Sequence, residues 1–240
     1  KVDQVIHLIK PKLFYGYVGY KDQSMNPVFD SNNISKMNQI FNVSRFSGMD
    51  RIGDENFYSL GINYTKRTMG RDKFSFEISK KYYLKDRKVS LSNLNMHSMN
   101  MSSMQMMSLS SDEDPLMLMS KWMPNMNTMI MTYGSYHKDQ KKFPMAGVTM
   151  KHKFNKGSIG YAKRYTKMSG DFNSELDYSE FFADLEVKNN FSLIAKFKRD
   201  DESGTKIESI FGVGYENCCV ALSVTASDRN LSKYLDGLES

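Results

Sequence analysis

Phe57-Tyr58-Ser59-Leu60-Gly61-Ile62-Asn63-Tyr64-Thr65 is the stretch that decides the fold. Tyr58, Leu60, Ile62 and Tyr64 alternate with Ser59, Gly61, Asn63 and Thr65. A period of two puts every apolar side chain on one face of an extended strand and every small polar one on the other. Helical spacing would scatter the same residues around a cylinder.

The pattern repeats outward from this stretch. Phe74, Phe76 and Ile78 alternate with Ser75, Glu77 and Ser79. Met129, Met131 and Tyr133 oppose Thr128, Thr132 and Gly134. Phe191, Leu193, Ala195 and Phe197 oppose Ser192, Ile194, Lys196 and Lys198. Ile207, Ser209, Phe211, Val213 and Tyr215 share a face, and Val220, Leu222, Val224 and Ala226 form a last alternating run. Turn formers separate the runs at Met69-Gly70-Arg71-Asp72, Pro124-Asn125-Met126-Asn127, Asn155-Lys156-Gly157, Asn189-Asn190 and Asp200 to Gly204. Short turns between strands predict an antiparallel meander. The segments sum to roughly 10–12 strands, mostly of the ~9–11 residues that a tilted membrane strand needs.

Composition agrees. Aromatics make up 12% of the 240 residues, with 14 Tyr and 15 Phe against only 5 Pro, which suits strands. Mean hydropathy is −0.53. That value does not oppose a membrane strand, which carries its lipid face in every second residue only. No apolar run reaches the roughly 18 residues of a membrane helix. The expected fold is therefore all-β, an antiparallel transmembrane β-barrel meander.

Two connections are long. Residues 22–56 are rich in Asn, Asp, Ser and Gly, and residues 90–114 in Met, Ser and Asn. Outer-membrane barrels keep short turns on the periplasmic side and long loops outside, so both are expected outside or folded into the lumen. The chain holds 19 Met, many of them between residues 96 and 131. We read them as Leu and Ile substitutes on lipid-facing positions and in one loop. A soft metal site is disfavoured because no cysteine or paired histidine accompanies them.

Catalytic patterns are weak. His7, His97, His137 and His152 lack ligand spacing. No nucleophile elbow or phosphate-cradling loop occurs. We expect no enzyme, no cofactor and no metal. The net charge of +6 admits an acidic or phosphate-bearing partner, or simply a solvated surface or basic lumen. No nucleic-acid motif is present. Lys1 is not a start methionine and no signal peptide follows it, so a processed chain or a fragment is expected. Cys218 and Cys219 are the only cysteines. Neighbours in a regular strand point to opposite faces, which disfavours a bond between them. Two readings stay open, a pair of reduced thiols or a pair oxidised to partners outside these residues.

Five ordered motifs resemble the LptD family of lipopolysaccharide-assembly proteins. LIKPKLFYGYVGYKDQS at residues 8–24, continued by PVFD at 27–30, is similar to the family's L-x-P-R-L-F-Y-x-Y-x-x-Y-R-D-Q. NVSRFSGMDRIGD at 42–54 resembles N-R-F-S-G-x-D-R-I-G-D. YLKDRKV at 83–89 resembles Y-F-x-D-R-x-V, and GYAKRYT at 160–166 is similar to G-Y-x-Y-T-R with an extra residue. GYENCC at 214–219 resembles G-x-x-Y-x-S-C-C-W, with Val220 where an aromatic is common.

The resemblance implies lipopolysaccharide transport and insertion into the outer leaflet of the Gram-negative outer membrane. It implies a barrel plugged by the lipoprotein LptE and fed by a periplasmic bridge of LptA type through an N-terminal jellyroll. It makes residues 1–240 the C-terminal portion of an outer-membrane barrel domain, a partial barrel without the jellyroll and the early strands. It implies that Cys218 and Cys219 form disulfides to that N-terminal domain. For Arg45, Phe46, Asp50 and Arg51 it suggests a lumenal loop touching lipopolysaccharide or LptE; the plainer alternative is a brace of one loop against the barrel wall. Lys196 and Lys198 either contribute a positive field or are ordinary solvated lumen residues. Tyr15, Tyr17, Tyr20, Tyr82 and Tyr83 are expected in interfacial girdles. A passive outer-membrane porin and an outer-membrane lipase are the alternatives.

Overall fold

The computed structural model describes residues 4–34, 36–89, 114–138, 141–167, 175–188 and 190–230. Much of the long Met-rich segment, residues 90–113, lies outside the described residues.

Eleven strands form one antiparallel sheet in chain order, the expected meander. They are β1 (Val5–Val18), β4 (Glu55–Thr68), β5 (Arg71–Tyr83), β6 (Leu116–Trp122), β7 (Thr128–His137), β8 (Lys142–Phe154), β9 (Gly157–Lys167), β10 (Glu175–Lys188), β11 (Phe191–Asp200), β12 (Lys206–Glu216) and β13 (Ala221–Arg229). Within the connection from β1 to β4, β2 (Asn32–Asn33) pairs with β3 (Phe46–Ser47) around a single helical turn, α1 (Lys36–Gln39). β1 and β13 do not pair with each other, so the sheet is open, as part of a barrel wall.

The turns follow from backbone chemistry. Met69 and Gly70 both take positive φ, 52° and 75°, the two-residue hairpin geometry that matches strand twist. Asn190 takes 71° at the β10–β11 turn. Asparagine accepts this conformation more readily than most residues.

Topology sorts the connections by end. Residues 69–70, 123–127, 155–156, 189–190 and 217–220 join strands at one end. Residues 19–54, 84–115, 138–141, 168–174 and 201–205 join them at the other. Both long connections therefore share an end, and the opposite end has only short turns.

Register carries the alternation across the sheet. Leu13 pairs with Leu60, and Pro11 with Ile62 and on to Ile78 and Leu118. The same parity leads through Ile130, Met150, Tyr161, Phe181, Phe197 and Phe211 to Ala226. This is a continuous apolar face, and much of it is exposed: Leu13 is 76% accessible, Phe211 62% and Val224 69%. An uncovered apolar area this wide marks contact with lipid or another apolar partner.

Aromatic residues sit at both ends of this face. Tyr15 pairs with Tyr58, which stacks on Tyr82 at 5.0 Å. At the short-turn end Phe74 pairs with Trp122, and Phe191 packs on Tyr215 at 5.0 Å. Tyr83 departs from the expected girdle. One residue beyond Tyr82, it faces the other way, is buried, and donates to Asp114 Oδ2 at 2.7 Å.

The opposite face is polar: Lys12, Ser59, Asn63, Glu77, Lys81, Thr149, Arg164, Glu180, Lys196 and Glu208 share it. The methionines correct one expectation. Met117, Met119, Met129 and Met131 lie on this polar face, because their neighbours Leu118 and Ile130 hold the apolar one. Of the strand methionines only Met150 falls on the apolar face by register; Met145 joins the others.

Candidate functional site

The polar face is covered at the long-loop end of β1, β4 and β5. Residues 39–43 lie across it. The Ser59 hydroxyl donates to the Ile40 carbonyl. The Lys81 ammonium donates to the carbonyls of Gln39, at 3.1 Å, and Asn42, at 3.3 Å. Lys12 lies 5.1 Å from the Phe41 ring. Two glycines permit this packing. A Cβ on Gly61 would stand 2.8 Å from the Phe41 ring, and one on Gly16 only 2.5 Å from the Phe57 ring. Phe57 is fully buried between Phe14 and Tyr83, at ring separations of 5.8 and 6.3 Å. Burying such a ring contributes roughly 1.5–3 kcal/mol.

Beside Phe57 is a cluster of buried charge. Arg45 Nη2 meets Asp54 Oδ1 at 3.2 Å, and Arg45 Nε lies 2.9 Å from Glu55 Oε1. The second contact is close but poorly aligned, so it acts as a charge contact and not as a hydrogen bond. Lys81 Nζ stands 3.9 Å from Glu55 Oε2 and 3.6 Å from the centre of the Phe57 ring. Arg87 lies 3.7 Å over Tyr83, whose hydroxyl holds Asp114. Three cations, Arg45, Lys81 and Arg87, face three carboxylates, Asp54, Glu55 and Asp114. The balance matters, because an uncompensated buried charge costs several kcal/mol, roughly 3–5 when one partner of a pair is removed.

The cluster ties three segments together. Asp54 accepts from the amides of Lys88 and Val89, and Arg45 donates to the Val89 carbonyl at 2.9 Å. The connection from β1 to β4 is thus fastened to the start of β4 and to the segment after β5. Burial pushes the Arg45 guanidinium down from its ordinary value, and Glu55 opposes that shift.

The residues singled out in the sequence do not converge on one spot. Arg45 and Phe46 are buried together, with the guanidinium 5.1 Å from the Phe46 ring. Arg51 is buried separately and donates to the Gln23 and Asn26 carbonyls. Asp50 accepts from the amides of Phe29 at 2.7 Å and Asp30 at 2.6 Å. Those two amides, Asp30 first, hold the Asp50 carboxyl below its ordinary value. Arg45, Asp50 and Arg51 each tie one part of the chain to another through these bonds, and Phe46 packs against the Arg45 guanidinium. Glu55, Lys81, Arg87 and Asp114 were missed by sequence reading. Lys81 and Glu55 sit on the polar parity of their strands, and that parity is the only signal they carry.

Across β10 to β13 the same face carries a different arrangement. Lys196 lies 3.5 Å from Glu180 and 3.2 Å from Glu208, and Glu208 also binds Arg229. Lys198 stands 3.8 Å from the Tyr178 ring. The charge of Lys196 is thus locally neutralised.

Cys218 and Cys219 depart from the strand assumed for them. They lie in the turn Asn217–Val220, where the Asn217 side-chain carbonyl accepts from the amides of Cys219 and Val220 at 2.9 and 2.8 Å. A turn frees adjacent side chains from strand alternation, and the two sulfurs stand 2.9 Å apart. Both are exposed, free thiols. The Cys218 sulfur pushes the Cys219 thiol up.

Comparison with known proteins adds the last observation. The family model described as LPS transport system D matches residues 1–191. The LPS-assembly protein LptD of Acinetobacter baumannii is 29% identical over 227 aligned positions, covering 91% of this chain and 26% of that protein. The protein of the same name from Pseudomonas putida strain GB-1 is 28% identical over 242 positions, covering 88% and 25%. That of Xanthomonas euvesicatoria is 25% identical over 228 positions, covering 90% and 27%. The chain spans about a quarter of the length of these relatives. With the meander, the two-faced sheet and the model match over most of its length, the chain belongs to the LPS transport system D family, LptD.

Proposed function

We propose that the protein containing this sequence delivers lipopolysaccharide to the outer leaflet of the Gram-negative outer membrane, without covalent chemistry. Membership of the LptD family carries this reading. The sheet supports it. Its apolar face, edged by aromatics, suits the membrane, and its charged face suits a wet lumen. The short-turn end then lies in the periplasm and the two long connections at the cell surface.

Residues 39–54 narrow the lumen beside β1, β4 and β5. Arg45, Phe46, Asp50 and Arg51 serve the passage indirectly, by fixing this loop where the sugars of the substrate or an LptE plug would meet it. An LptA-type bridge would dock on the jellyroll that the resemblance implies. Cys218 and Cys219, at the short-turn end, face the oxidising compartment where disulfides to such a domain form. Non-reducing gels of the full-length protein check that pairing, and an unchanged mobility after replacing both by Ser contradicts it.

Depleting the protein in its own cell tests the function. New lipopolysaccharide at the surface, read by labelling intact cells, is expected to stop while porins continue to assemble. Undiminished labelling would refute the reading.

A further inference from the structure

The apolar face carries a small polar pair midway along β6 and β7. Ser120 of β6 pairs with Thr132 of β7, and both lie on the apolar parity. One hydroxyl donates to the other at 2.8 Å, so the two are linked sideways along the sheet. Bulky neighbours flank them: Phe76 pairs with Ser120 on one side and Val148 with Thr132 on the other. Small side chains between large ones leave a furrow of about 580 Å³. Such a volume lies within the ~300–1,000 Å³ of ordinary ligand sites.

The furrow runs toward the short-turn end, where Phe74, Trp122 and Pro124 line it. Lys66 and Lys73 also line it. Among the described residues neither lysine has an acidic partner. Two uncompensated cations beside interfacial aromatics lie where lipid phosphates lie. Lysine stems run along apolar surface and lift the ammonium to that level.

We propose that this furrow binds an anionic glycerophospholipid of the periplasmic leaflet, with its phosphate at Lys66 and Lys73 and an acyl chain along Ser120 and Thr132. The site rests on the membrane reading given above and goes beyond it, since the polar face and the substrate path take no part. The occupant follows from charge and position. The head must be negative, and the rim lies at the short-turn end, away from the cell surface. The chain must be slender, because only the small Ser120 and Thr132 side chains open the furrow, and apolar, because Phe74, Trp122, Met123 and Ile130 line it.

Native mass spectrometry of the full-length protein in detergent, titrated with phosphatidylglycerol or phosphatidylcholine, tests the site. Phosphatidylglycerol is expected to bind with preference. Each lysine contributes about fivefold, so Lys66→Gln and Lys73→Gln each lower phosphatidylglycerol affinity by that factor and leave phosphatidylcholine unchanged. Thr132→Trp, which fills the furrow, is expected to abolish the preference. Equal binding by all three variants and the original protein would overturn the proposal. Displacement of phosphatidylglycerol by lipid A at lower concentration would also overturn it, by assigning the furrow to the other leaflet's lipid. A spin label at Ile62, on the same face but outside the furrow, separates the two levels. No lipid contact there defeats the membrane reading. Contact there with unselective lipid binding defeats only the furrow.

Discussion

β4–β5 and β10–β12 are built from the same alternation, yet their polar faces are filled in opposite ways. On β4–β5 a loop covers the face and excludes water: Lys81 and Phe57 are wholly buried. On β10–β12 the face carries a ladder of partly exposed ion pairs, with the Lys196 side chain one-third accessible. Alternation fixes which residues share a face. What lies over that face decides whether a lysine there is a structural pin or a solvated group.

The contrast breaks first at Lys81. Lys81→Ala leaves Glu55 buried without one of its cations and removes two donors to the loop carbonyls. It is expected to lower stability by about 3–5 kcal/mol. Urea unfolding of the full-length protein in lipid, followed by Trp fluorescence, measures this, and a loss under 1 kcal/mol would remove the distinction between the two regions. Lys196→Ala in the ladder is the matched control. Glu180 stays partly hydrated and Arg229 still serves the buried Glu208, so the expected loss is about 0–1 kcal/mol in the same assay.

The smallest effect is one of pH. The Asp50 carboxyl lies below its ordinary value because it accepts the amides of Asp30 and Phe29. A carboxylate depressed in the folded state contributes stability that is complete above the ordinary value of 3.8 and is lost as pH falls through the lower, folded value. Selectively labelled Phe29 is expected to show an amide shift that titrates with a midpoint below 3.8. A midpoint at or above that value would mean that the loop is not held as described.

Most of the sheet was legible because its signal is local. Tyr58 to Tyr64 and Phe191 to Phe197 state their faces by parity, and Gly70 and Asn190 state their turns by backbone preference. The charge cluster was not legible. Arg45 meets Asp54 and Glu55 close in sequence, but Lys81 finds Gln39 and Asn42 across a long connection whose path no periodicity encodes. The methionines misled because hydropathy marks them as apolar without saying which face they take. Only the parity of Leu118 and Ile130 resolves it. The cysteines misled because a four-residue turn looks extended in sequence until Asn217 is seen to cap it.

The opposition of a lipid-facing and a lumen-facing side is tested most directly by spin labels on adjacent residues. Labels at Ile62 and Phe197 against Asn63 and Lys196, in full-length protein in bilayers with every native cysteine, Cys218 and Cys219 included, replaced by Ser, compare collisions with oxygen and with a water-soluble nickel chelate. High oxygen and low nickel access at Ile62 and Phe197, with the reverse at Asn63 and Lys196, is the predicted result. Equal access at neighbouring positions, or nickel access at Ile62 and Phe197, would contradict it.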